Sequence, residues 1–193
     1  MSSKTTAFIV GNGVSRKPID LHGLKTRGEI YGCNAIHREF SDCDYIVAID
    51  DGMIKELTEE IHPRSQIIIP PEDERWESAK YNSRRRRSNA GMNAMLEAIR
   101  RDNTKLYCLG FDFLLKGSIS TDNVFKNTPN YGIETHAVES DNYYRIKYLE
   151  WFMRDNAQVQ FTFVLPNASE FATLDASNVS GIFVEDFKKD FDC

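Results

Sequence analysis

Strands alternating with helices along the chain predict an α/β protein with a mainly parallel sheet flanked by helices, in one domain. Three observations carry that prediction. Short apolar runs rich in β-branched and aromatic residues recur, from Phe8-Ile9-Val10 to Val159–Leu165, as buried strands require. Between two of them, Met92, Met95, Leu96 and Ile99 share one face of a helix. Four strands end in small or polar groups: Gly11-Asn12-Gly13, Asn34, Asp50 and Gly110-Phe111-Asp112. A parallel sheet brings such ends to a single edge, where open α/β sheets build their ligand sites.

In order, Ala7–Val10 reads as a first strand running into a small-residue turn, Gly11-Asn12-Gly13-Val14-Ser15. Gly11 and Gly13 allow positive φ there and leave room for another backbone or a phosphate. Residues 17–24 read as a short irregular helix or turn. Glu29–Asn34 and Asp44–Asp50 are the second and third strands, the latter ending in the carboxylate pair Asp50 and Asp51. Gly52–Ile61 reads as helix and Ser65–Ile69 as a fourth strand, stopped by Pro70-Pro71. Residues 71–88, acidic and then polar before Arg84-Arg85-Arg86-Arg87, read as a loop or flap.

Ser88 or Asn89 caps a helix through about Arg101. Lys105–Leu109 is the fifth strand, and a polar loop runs from there to about Thr135. A helix with Tyr144, Tyr148, Leu149 and Phe152 on its apolar side follows. Of the aromatic set Tyr143, Tyr144, Tyr148, Trp151 and Phe152, one helix face cannot hold all, so Tyr143 or Trp151 points outward. Val159–Leu165 is the last strong strand, and in the tail from Pro166, Ile182-Phe183-Val184 reads as a short edge strand or docking segment.

Composition narrows the function classes. The chain has 193 residues, 41% hydrophobic and 27% charged, with a net charge of −5, which disfavours a general nucleic-acid-binding surface. Cys33, Cys43, Cys108 and Cys193 have no metal-ligand spacing, so no structural zinc is expected and a reducing compartment is. The polar start and the short apolar runs predict neither a signal peptide nor a transmembrane segment, with the cytoplasm as the expected location.

Gly11-Asn12-Gly13-x-Ser15, Cys33-Asn34, the Ser/Asn-x-Gly helix start at residues 88–91 and Gly110-Phe111-Asp112-Phe113 together resemble the bacterial lipooligosaccharide sialyltransferases of glycosyltransferase family 42. They are also similar to a related domain of unknown function that includes 6-hydroxymethylpterin diphosphokinase-like proteins. The resemblance covers roughly residues 7–165. It implies a Rossmann-like glycosyltransferase fold that binds a CMP-sugar without a metal or other cofactor and transfers the sugar to a glycan or small-molecule acceptor. By that resemblance Asn12, Gly13 and Ser15 line the donor phosphate and ribose, beside Gly11, and Asn34 meets the donor. Ser88, Asn89 and Gly91 meet the nucleotide, and Gly110, Asp112 and Phe113 position its base or sugar. His136, followed by Glu139 and Asp141, is the catalytic base. Leu114 and Ala90 stand where that family has a tyrosine and a serine.

Other readings stay open on the residues themselves. His136 is otherwise a helix cap or a partner of Glu139, while His22, His37 and His62 read as surface residues. Asp50 and Asp51 hold Mg²⁺ against a diphosphate if the chain is a diphosphotransferase; otherwise they are a strand-end cap and a solvated neighbour. The arginine run folds over ligand phosphates, or is simply a solvated loop. A non-catalytic nucleotide-binding or assembly protein of the same fold, with an oligomer possible, is the third class.

Overall fold

The computed structural model describes residues 5–61, 64–72, 88–116, 123–132 and 139–193. Its centre is β1 (Thr6–Val10), whose alternating side chains enter two separate cores. Ala7 and Ile9 join one apolar cluster, and Phe8 and Val10 the other. A strand buried on both faces needs apolar residues at both parities, which is why its sequence shows no alternation.

Outward on one side of β1 lie β2 (Glu29–Cys33), β3 (Tyr45–Val47) and β4 (Gln66–Ile68); on the other lie β5 (Lys105–Leu109), β6 (Gln160–Leu165) and β7 (Val179–Phe183). The order is β4-β3-β2-β1-β5-β6-β7, and all six pairings are parallel. The chain builds outward from β1 and then crosses it to start the second half, so the topological switch lies between β1 and β5. This seven-stranded parallel sheet with flanking helices is the Rossmann-like α/β arrangement expected of the sequence.

One face carries α3 (Ala90–Arg100) and α4 (Glu139–Asp155), packed through Met92, Met95, Leu149, Phe152 and Met153. The opposite face carries α1 (Leu21–Leu24), α2 (Asp51–Lys55, continued as a wider π-helical turn through Ile61) and α5 (Val184–Phe191). Asn89 is the residue that caps α3, its side chain accepting from Met92 N at 3.0 Å. Tyr143 is the outward-pointing aromatic of α4, 58% exposed, while Tyr148 and Phe152 are buried.

The tail differs most from expectation. Residues 166–178 form a non-helical strap across the α4 face, β7 begins at Val179, and Val184 starts a helix rather than ending a strand. Val184, Phe187 and Phe191, at helical spacing, anchor α5 beneath Phe8 and Tyr107. No helix among the described residues is long and apolar enough to cross a membrane.

Candidate functional site

The carboxyl ends of β1, β2, β3 and β5 converge, and the glycines explain how closely. Gly110 takes the left-handed backbone (φ +70°) that was expected of the first turn, whereas Gly13 has φ −64°. What Gly11 and Gly13 supply is space. Gly11 N–H donates to Leu109 O at 2.8 Å and Gly13 N–H to Gly110 O at 3.0 Å. A Cβ on Gly13 would lie 2.4 Å from Asp112 Cγ, and one on Gly11 2.9 Å from Gly110 O. The room in the turn is thus taken by the β5 backbone.

Asp112 closes the same turn from below. It is 7% exposed, accepts from Ser15 N–H at 3.1 Å, and is bonded by the Ser15 hydroxyl. Burial pushes its carboxyl above the usual range, and the bonds from Ser15 and Val14 pull it back. A carboxylate here occupies the position at the amino end of the Val14–Arg16 turn where backbone donors favour an anion. Arg16 follows at 2% exposure, donating to Gly11 O at 2.8 Å and to Glu39 at 2.9 Å.

Beyond the turn, polar groups from three strand ends meet around one hydroxyl. Asn12 Nδ2 donates to Cys33 O at 3.1 Å and to the Tyr131 hydroxyl at 3.2 Å. Asn34, 7% exposed and left-handed at φ +48°, donates to Asp50 Oδ2 at 2.6 Å and accepts from Ile49 N–H at 3.2 Å. The Tyr131 hydroxyl also bonds with Asn34 and the Ala35 backbone, and burial with the nearby Asp50 charge pushes it well above the usual tyrosine range. Burial raises the Asp50 carboxyl, the bond from Asn34 lowers it, Asp51 raises it further, and the Arg145 guanidinium on α4 lowers it. The Asn12 side-chain oxygen is buried and has no hydrogen-bond partner among the described residues.

Tyr131 belongs to residues 123–131, which lie over these strand ends. Val124 N–H donates to Asn12 O at 2.8 Å, Asn123 bridges Gly13, and Phe125 packs with Ala35 and Met53. Arg38 fastens the segment by donating to Thr128 Oγ1 at 2.7 Å and Pro129 O at 3.1 Å, and Asn130 donates to Glu56 at 3.1 Å. Glu56 is itself forked by Arg38 and bonded by His37 at 3.0 Å. Burial works to raise Glu56, but the bonds and charges of Arg38 and His37 outweigh it, and the carboxyl lies below its ordinary range. The expectation that His37 is a surface residue is corrected: its side chain is 5% exposed because the Glu56 carboxylate draws it inward. His22 is exposed as expected, edge-on to Phe40.

Of the residues singled out from sequence, Asn12, Asn34 and Asp50 form one connected cluster, and Gly11, Gly13, Ser15, Gly110 and Asp112 form the turn beside it. Phe113 is 8% exposed and lies in the apolar core. At the α3 start, Ser88 is 2% exposed and accepts from Asn93, Asn89 is spent on its cap, and Gly91 makes room for Phe111. Asp51 is exposed on the first turn of α2. His136, His62 and the run Arg84–Arg87 lie outside the described residues. No group of three or more His, Cys, Asp or Glu side chains gathers as a metal site among the described residues. Tyr131 and Arg145 were not singled out from sequence. The turn-forming Asn127-Thr128-Pro129-Asn130 before Tyr131 is the signal that this loop folds back on itself.

No family model matches the chain, and no match was found among the curated proteins or the solved structures.

Proposed function

We propose that the chain is a glycosyltransferase-like enzyme that binds a nucleotide sugar of the CMP-sugar type along the carboxyl edge of β1, β2 and β3. The observation that carries the reading is the cluster of Asn12, Asn34, Asp50 and Tyr131 at that edge, with the Asn12 oxygen buried and unpartnered. A buried acceptor without a donor costs about 1–3 kcal/mol, a cost that an arriving hydroxyl or amino group removes. In this reading the Asn12 oxygen accepts from a ribose hydroxyl. Arg145, close enough to act on Asp50, supplies positive charge for the phosphate.

Ser15 and Asp112, bonded to each other, act by holding the glycine turn rather than by touching the ligand. His136 takes the proton of the acceptor hydroxyl as its oxygen attacks the anomeric carbon and CMP departs. Calorimetric titration with CMP in EDTA tests the binding step, with Mg²⁺-ATP as the comparison. Metal-free CMP binding supports the reading. Binding of Mg²⁺-ATP alone supports the diphosphotransferase, with Asp50 and Asp51 at the metal. CMP binding with no transfer to any acceptor, and none lost in a His136→Ala variant, supports a non-catalytic nucleotide-binding protein.

A further inference from the structure

At the far end of the sheet from the Asn34–Asp50 cluster, a half-open cavity of about 330 Å³ lies between β6, β7 and the strap. Its walls are Leu114, Phe163, Leu165, Phe171, Leu174 and Val179, and no charged side chain lines it. Gly181 is why it exists. A Cβ there would point at Leu165 Cδ1 at 3.1 Å and Phe171 Cζ at 3.8 Å, so any larger residue would occupy the space.

The strap is held over the cavity by fixed bonds and does not simply rest on it. Ala172 N–H donates to Leu114 O at 2.7 Å and Lys116 N–H to Glu170 O at 2.9 Å. On the other side Asp175 N–H donates at 3.2 Å to Glu150, a carboxylate only 5% exposed, and Arg154 donates to Asp175 at 2.8 Å. These ties fix where the strap crosses, so it cannot collapse onto the sheet without breaking backbone bonds and the part-buried bond to Glu150. The Thr173 hydroxyl, also lining the cavity, makes no hydrogen bond among the described residues.

We propose that this cavity is a binding site for a compact, uncharged, largely apolar small molecule, with the Thr173 hydroxyl offering a polar contact, while the hydroxyl of Ser180, the other polar lining residue, is paired with Thr162 at 3.0 Å. The volume lies within the range of small-ligand pockets, and the apolar lining gives a neutral aryl or alkyl group its driving force. A carboxylate or ammonium group would find no counter-charge among the lining side chains and would lose hydration on entry. The site is independent of the nucleotide reading.

The test uses the uncharged fluorophore N-phenyl-1-naphthylamine, titrated into the full chain. Saturable one-to-one fluorescence enhancement is expected, weakened at least tenfold in Gly181→Val, which fills the cavity while favouring the strand. Ala172→Leu fills it from the strap side and gives the same loss should the β7 variant not fold. Displacement by 1-octanol is expected to be at least tenfold stronger than by octanoate. Probe affinity unchanged from wild type in both filled variants, equal displacement by the two competitors, or a sedimenting dimer that excludes the probe would overturn the proposal.

Discussion

Asn34 joins the ends of β2 and β3 by donating its amide to Asp50 at 2.6 Å while its own oxygen takes the Ile49 N–H at 3.2 Å. One side chain at φ +48° therefore sets the spacing of two strand ends, and asparagine suits both demands. Asn34→Ala should lose about 2–4 kcal/mol, combining two lost buried bonds with left-handed strain. Asn34→Gly keeps the backbone and should lose about 1–2 kcal/mol less than alanine does. Urea unfolding of the pair separates the two contributions, and equal losses would assign the whole effect to the side chain.

Asp50, just before α2, and Glu56, in its π-helical continuation, have opposite pH signatures. Asp50 is raised in the fold, first by burial, so its contribution to stability is present below its unfolded value and lost as pH rises through the folded one. Glu56 is lowered by Arg38 and His37 against its burial, so its contribution is present above its unfolded value and lost as pH falls through the folded one. Between acid and neutral pH, wild type should therefore lose stability relative to Asp50→Asn and gain it relative to Glu56→Gln. Denaturation midpoints across that range check both slopes.

Gly13 is required for space. Its φ of −64° is open to any residue, yet a Cβ would meet Asp112 Cγ at 2.4 Å and Gly110 O at 2.5 Å. Gly13→Ala should cost about 2–3 kcal/mol by overpacking. The paired change Gly13→Ala with Asp112→Ala removes one obstacle and not the Gly110 backbone, so it should recover only part of the midpoint shift.

Arg38 governs the segment carrying Tyr131. A lysine keeps the charge and loses the fork that reaches Glu56, Thr128 and Pro129 together. In Arg38→Lys the Asn127, Thr128 and Tyr131 amides, bonded within the segment, should exchange at least about tenfold faster than in wild type. Amides of β1 and β5 should hold their rates. Hydrogen exchange read residue by residue decides it.

Much of the framework was legible because buried strands announce themselves. Six of the seven strands follow from apolar runs that turn residues or prolines terminate, and the edge they share follows from parallel topology. The seventh strand and α5 were harder. Val179-Ser180-Gly181-Ile182-Phe183 is an exposed edge with a glycine, and α5 has no side-chain cap at Phe183 to mark its start. At the site, Asn12, Asn34 and Asp50 could be placed together because each ends or follows a strand. Tyr131 and Arg145 could not, because the contacts that bring them there span 119 residues from Asn12 and the whole of a crossover. Nor could sequence foresee that Asp112 would fill the donors of the first turn. That depends on the close approach of two glycine backbones, Gly11 and Gly110.

In the proposed function, ligand binds at the Asn12, Asn34, Asp50 and Tyr131 cluster. Chemical-shift mapping of the isotope-labelled chain during titration with CMP tests it most directly. The largest changes are expected on the Asn12 and Asn34 side-chain amides and on the backbone of residues 11–13, 34–35 and 131. Saturable changes confined to another edge of the sheet, or a spectrum unmoved at millimolar CMP, would contradict it.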